Sequence, residues 1–247
     1  MTGNYLTADA SGSPAPPRRQ RALDAAADLL VRYGYRRVTV EDVARACGIG
    51  KGTVYLHWAS RDDLFKDVFR REIAAAVGEL LDQLRGQPGT WRPHRFVRAY
   101  FMALMTRPLL TGLALDDADL LGRLTAPDGG PAVQQHQDLP REYIRLLVEH
   151  NVIRPELDAD AAADTLLAVL EGFIRHHVTV ARDGGGREVA DSADLLALTV
   201  RNALETGARI PARREAAIAS AVADLVAGLA TPEPDPKERP DDGPPTP

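Results

Sequence analysis

The run Thr39 to Phe65, TVEDVARACGIGKGTVYLHWASRDDLF, holds the residue types and spacings best suited to chemistry. Lys51, Thr53, Tyr55 and His57 stand at every second position, so on a short helix they fan around its leading end. An ammonium, a hydroxyl, a phenol and an imidazole can all donate hydrogen bonds, to phosphate oxygens or to base edges. Tyr55 can donate its hydroxyl to a phosphate or lay its ring on a thymine methyl. Gly52 carries no side chain and lets the backbone come close. Upstream, Thr39 and Asp42 have the spacing of a capping box, with Asp in place of the usual Glu or Gln. The Thr39 hydroxyl would satisfy an orphan amide of the helix that follows, whose positive N-terminus is a natural phosphate seat. Arg61, just after the second of the helices the run would form, is placed to pin the backbone of an opposite strand.

These side chains need two short helices held at an angle. The spacing predicts one helix from Thr39 through Ala46, a turn at Cys47–Gly48–Ile49–Gly50 with a positive φ at Gly48, and a second helix over Lys51–His57. Val43, Ala44, Ile49, Val54 and Trp58 would pack the pair against a preceding helix, Arg18–Tyr33. That helix presents Ala22, Leu23, Ala26, Leu29, Leu30 and Tyr33 as one stripe and stops at Gly34. The arrangement is a helix-turn-helix, whose second helix suits a major groove about 12 Å wide. Ser60 to Asp63 repeats the capping pattern and opens a long helix to about Arg85. Its apolar stripe runs through Leu64, Phe65, Val68, Phe69, Ile73, Ala76, Val77, Leu80, Leu81 and Leu84, with Gly86 and Pro88 closing it.

Charge is distributed to match. Residues 18–61 hold nine basic and four acidic residues, an excess of +5, and the whole 247-residue chain has a net charge of −5, so the remainder carries −10. A basic segment on an acidic body is the footprint of a nucleic-acid-binding head, although chance clustering on a solvated surface gives the same pattern. Aromatic residues are 5% of the chain, which leaves a core of Leu, Val and Ala and favours helices. The fold class expected is therefore all-α. Cys47 is the single cysteine, which excludes an internal disulfide, and no Cys/His cluster has zinc-site spacing. Neither a metal nor a cofactor is expected. No apolar run approaches the roughly 20 residues of a membrane span, and the N-terminus lacks a secretory pattern, so a cytoplasmic location is expected. No Gly-x-Ser-x-Gly elbow, Walker loop or dinucleotide fingerprint is present, which argues against an enzyme.

Four segments are expected. Residues 1–17 and the Pro-rich acidic residues 231–247, with seven prolines in seventeen positions, read as disordered tails. Residues 18–65 form the head, linked by the long helix to about residue 85. Residues 86–230 form a helical body for effector binding and dimerisation. Helices are predicted there at Pro93–Met105, Asp116–Leu124, Val133–Asn151, Asp158–Arg182, Asp191–Ala208 and Ala212–Leu229. Pro140 is expected to break or start one of them, and Gly129–Gly130 and Gly184–Gly186 mark loops. Phe101, Met105, Tyr143, Phe173 and His177 are candidate effector contacts, though ordinary core packing accounts for Phe101, Met105 and Tyr143 equally well. Glu171, Arg175, His176 and His177 share a helix, where a solvated face with one or two inward histidines is favoured over a metal or effector site.

Residues 18–65 resemble the DNA-binding region of the tetracycline-repressor (TetR) family. The likeness is carried by Tyr33–Gly34, Val38–Thr39–Val40, Asp42–Val43–Ala44, Gly48, Lys51–Gly52–Thr53–Val54–Tyr55, His57–Trp58, Ser60 and Leu64–Phe65. Two positions depart from it: Trp58 stands where Phe is usual, and Gly50 where Ser is common. The resemblance implies an all-helical homodimer and a regulator, in most members a repressor, that binds double-stranded DNA at a palindromic operator and is released by a small-molecule effector. It places Thr39, Lys51, Thr53, Tyr55, His57 and Arg61 at DNA-contact positions. Past residue 85 it is a likeness of architecture alone. The two long helices Asp158–Arg182 and Asp191–Ala208 would pair with a second copy as a four-helix bundle. Two other readings stand beside this one: a ligand-independent dimeric DNA-binding protein, and a helical-bundle enzyme or carrier.

Overall fold

The computed structural model describes residues 17–115, 117 and 131–229. Both expected tails lie outside these residues apart from Pro17, as do the expected helix Asp116–Leu124 apart from Asp117, and Gly129–Gly130. The described residues form ten helices and no strand: α1 (Arg18–Tyr33), α2 (Val40–Ala46), α3 (Lys51–Tyr55), α4 (Arg61–Gly86), α5 (Pro93–Met105), α6 (Pro108–Ala114), α7 (Pro131–Glu149), α8 (Ala159–Arg182), α9 (Val189–Leu204) and α10 (Ala212–Gly228). One isolated antiparallel bridge joins Ile153 to Glu205.

Local chemistry sets most of the ends. Gly34 stops α1 at φ 73° and donates its N–H to the Leu30 carbonyl. Thr39 and Asp42 form the reciprocal capping box at α2. Ser60 and Asp158 accept from the backbone amides of Asp63 and Ala161 at the starts of α4 and α8. α3 ends at Tyr55, two residues earlier than the pattern Lys51–His57 suggested. α6 was not expected from the sequence; Pro108 starts it at the one position where a missing N–H costs nothing.

The core runs unbroken from head to body. α4 packs on α1 at one end and on α5, α6 and α10 further along. Its inward face follows the expected stripe, buried at Leu64, Phe65, Val68, Phe69, Ala76, Val77, Leu80 and Leu84, while Ile73 and Leu81 are half-buried. α5 lies against α9, and α8 sits between α7 and α9. Two expectations need correcting. Tyr33 is exposed rather than part of the α1 stripe, because that helix's buried face ends at Leu30. Pro140 neither breaks nor starts a helix; it lies inside α7. The lost backbone bond is tolerated because Leu139, Tyr143, Ile144 and Leu147 bury the face of α7 around it.

Candidate nucleic-acid interface

The head presents α3 by burying everything behind it. Val43 and Ala44 on α2, Val54 on α3 and Trp58 just after it join the α1 residues Ala22, Leu23, Ala26 and Leu30 in the core. Gly48 adopts φ +67° in the turn between α2 and α3, with open space where a Cβ would stand. With Val54 and Trp58 inward, Lys51, Gly52, Tyr55 and His57 are left exposed, while Thr53 is half-buried. Tyr55 is 46% exposed, too open for a core aromatic. Leu56, which the sequence pattern does not single out, is the most open large apolar side chain described, at 83%. An unburied leucine beside Tyr55 adds an apolar tip to the same end of the head; its one sequence signal is that it interrupts the polar face around it.

Charges around α3 are already partnered. Lys51 donates to the Glu41 carboxylate on α2, and its ammonium lies 5.7 Å from the centre of the Tyr55 ring. The hydrogen bond raises the Lys51 pKa above its ordinary value and lowers that of Glu41. Thr39 is exposed at the start of α2, its hydroxyl donating to Asp42 (2.6 Å) and accepting from the Asp42 amide (3.2 Å). The Thr39 hydroxyl and, at 3.1 Å, the Thr39 backbone N–H both donate to the Asp42 carboxylate and hold it below its usual range. Arg61 is the most committed of the candidate contacts. Its guanidinium stacks 4.7 Å from the Tyr35 ring centre and 5.6 Å from that of Phe65, and donates weakly to the Val38 carbonyl at 3.4 Å. Tyr35 in turn donates to Asp62 at 2.6 Å; burial and that carboxylate raise its pKa.

A second layer fixes the head to α4, and the sequence pattern does not reveal it. Asp67 is buried on the inner face of α4. It accepts from Trp58 Nε1 at 2.9 Å, from Arg70 at 2.5 Å and from Arg19 on α1. The Arg19 guanidinium also lies 5.5 Å from the Trp58 ring centre. Trp58, unlike a phenylalanine, brings an N–H into the core, and Asp67 satisfies it. Arg71, further along α4, reaches back to Asp24 on α1.

The candidate effector contacts divide. His177 and Phe173 line one cleft of 480 Å³ between α8 and α9, together with His176, Val180, Ala181, Gly186, Arg187, Ser192 and Leu195. Phe101, fully buried on α5, meets the edge of the His177 ring at 5.9 Å. Tyr143 lies elsewhere: it stacks on Phe96 at 4.7 Å and donates to the Trp91 carbonyl at 2.9 Å. Burial raises its pKa well above the ordinary phenol value. Met105 is half-buried at the end of α5 and does not line the cleft. Glu171 and Arg175 form an exposed i,i+4 pair at 2.6 Å, the solvated face expected. Among the described residues no cluster of three potential ligands could hold a metal ion, and no helix is long and apolar enough to cross a membrane.

An all-helical chain with a helix-turn-helix exposed at one end has the form of a DNA-binding regulator. Comparison with known proteins gives the family. Residues 22–68 match the family described as bacterial regulatory proteins, tetR family. The HTH-type transcriptional regulator YhgD of Bacillus subtilis is 33% identical over 170 residues, covering 65% of this chain and 86% of YhgD. The HTH-type transcriptional repressor AcnR of Corynebacterium glutamicum is 26% identical over 191 residues, or 74% of this chain and 93% of AcnR. The fatty acid degradation regulator FadR from Bacillus halodurans superposes with a TM-score of 0.58 at 18% identity, over 81% of this chain and all of FadR, a likeness of fold. The chain belongs to the TetR family: it is a DNA-binding transcriptional regulator and not an enzyme.

Proposed function

We propose that the protein is a homodimeric repressor that binds a palindromic operator through α3 and is released by a small-molecule effector. The observation that carries the DNA-binding part is the open face of α3. Lys51, Gly52, Tyr55 and His57 lie exposed around a short helix whose inner face is sealed by Val54 and Trp58. Inserted into a major groove, Lys51 and Tyr55 would meet phosphate or base edges, and Thr39 would bring the N-terminus of α2 to the backbone. Thr53 and His57 would read or position beside them, and Arg61 would reach a phosphate only after leaving its stack on Tyr35.

A dimer is supported by α8 and α9. Leu195 and Leu198 on α9 are 41% and 55% exposed, among the few large apolar side chains left open. On α8, Val169, Leu170 and Phe173 are only half-buried. Pairing these helices with a second copy would cover both sets, and a palindromic operator would then call for two α3 helices one DNA turn apart, roughly 34–36 Å. Release then requires that an effector favour a body whose heads are wrongly spaced, and it acts only through its differential affinity for the two states. α4 is the natural lever, since one helix joins the Asp67 network to the body. The likeness to AcnR, a repressor, supports the negative sign of control.

Footprinting on the DNA upstream of the protein's own gene tests the reading. A protected inverted repeat is the expected result, lost in Tyr55→Ala. Protection of no site, or a Tyr55→Ala variant that footprints like the native chain, would overturn it.

A further inference from the structure

The cleft between α8 and α9 has a composition of its own. Its polar groups come from His176, His177, Arg187 and Ser192, its apolar walls from Phe173, Val180 and Leu195, and no carboxylate lines it. Glu188 and Asp191, close in sequence, are not part of the lining. The inner wall is built rather than loose. Ser192 is buried, and its hydroxyl lies 3.1 Å from His177 Nδ1. That contact, with the edge of His177 on Phe101, holds the imidazole in place and leaves Nε2 as its unbonded nitrogen. At the outer wall, the side chains of Arg187 and His176 have no hydrogen-bond or ion-pair partner among the described residues. Gly186 shapes the rim: its φ is +118°, and a Cβ there would come within 3.4 Å of Val180 Cγ1.

A guanidinium without a counter-ion beside two imidazoles is an anion receptor, since arginine offers a fork of donors that matches a carboxylate. The aromatic and aliphatic walls beside it suit an apolar body. A cleft of 480 Å³ falls within the usual range for small-molecule sites, about 300–1,000 Å³. We propose that this cleft binds a small organic acid, its carboxylate held by Arg187 and His176 with His177 behind, and its apolar part lying on Phe173, Val180 and Leu195. Phe173 and Leu195 belong both to the cleft and to the α8 and α9 faces proposed to pair. An occupant therefore bears on the surface proposed to pair with a second copy. That regulatory consequence rests on the effector-release reading; the binding stands on the cleft alone.

Isothermal titration of the full chain tests it, with benzoate, 4-phenylbutyrate and 1-naphthoate set against their uncharged amides. At least one acid should bind saturably, one per chain, with its amide roughly tenfold weaker. Arg187→Gln, on an exposed loop, should weaken the acid roughly tenfold and leave the amide unchanged, and His176→Gln should weaken the acid less. Equal affinity for acid and amide, indifference to Arg187→Gln, or no binding by any of the three acids overturns the site. A parallel gel shift on the protected DNA separates the two readings. Binding that depends on Arg187 but leaves the DNA complex intact upholds the site and overturns its role as the effector site.

Discussion

In the free chain Lys51 faces Glu41, so a phosphate arriving at α3 must take the place of a carboxylate. Lys51→Ala is expected to weaken binding on specific and unrelated DNA alike and to lower the slope of log K against log salt by about one unit, as for the loss of one phosphate contact. Glu41→Gln frees Lys51 and removes a charge that repels the backbone. It should tighten binding to unrelated DNA roughly two- to fivefold, the scale of an exposed ion pair; fluorescence anisotropy over a salt series reads both. The lowered Glu41 pKa keeps that pair charged through the neutral range, and only acid below the ordinary glutamate value releases Lys51. Gly48 makes a separate point about single residues. Nothing stands within 4 Å of where its Cβ would be, so the cost of Gly48→Ala is conformational alone. A loss of about 1–2 kcal/mol is expected, and less for Gly48→Asn, which visits this region more readily. Urea unfolding measures it.

At the level of helices, the joint between head and α4 is the Asp67 network. Asp67→Ala strands the Trp58 N–H inside the core and leaves Arg19 and Arg70 without their acceptor, at an expected cost of about 1–3 kcal/mol. Trp58→Phe removes one donor and leaves Asp67 its two arginines, so it should cost less. The double variant should cost less than the sum, a coupling that denaturant curves expose directly. Further along, Arg107 at the corner between α5 and α6 pairs with Glu79 of α4 and lowers its pKa. A carboxyl with a lowered folded pKa stabilises above its unfolded value and loses that contribution as the pH falls through the folded one. Glu79→Gln should therefore cost under about 1 kcal/mol at pH 7 and progressively less as the pH falls below the ordinary glutamate range, measured as unfolding midpoints. These joints also show what a sequence can and cannot disclose. The capping box at Thr39, the stop at Gly34, the turn at Gly48 and the stripe on α4 are set by neighbours a few residues apart, and each was legible. The start of α3 at Lys51 was legible for the same reason. Asp67, Glu79 and Glu205 were not, because Trp58, Arg19, Arg107 and His94, which they hold, lie 9 to 111 positions away and a carboxylate on a helix otherwise reads as solvated. Ser192 meets His177, and Arg187 comes to line the same cleft, only because α8 and α9 fold together. Pro140 misled, since the local rule for proline takes no account of the packing around it that keeps α7 continuous.

For the molecule as a whole, the exposed leucines of α9 give the first prediction. Leu198→Glu, and more so Leu195→Glu with Leu198→Glu, should yield a folded chain that sediments as a monomer and no longer protects an inverted repeat. A dimer of unchanged mass would exclude this face. How the body would pass on a change at that face can be followed through one buried carboxylate. Glu205, just past the last turn of α9, accepts from the backbone N–H of His94 at 2.8 Å and lies 2.7 Å from its ring Nδ1, in the first turn of α5. A single oxygen thus clasps the end of one helix to the beginning of another, so neither can slide without stranding a charge away from water. Hydrogen–deuterium exchange at the opening amides of α5 would then follow the state of α9, and Glu205→Gln should let those amides trade protons with solvent faster while the far end of α5 stays protected.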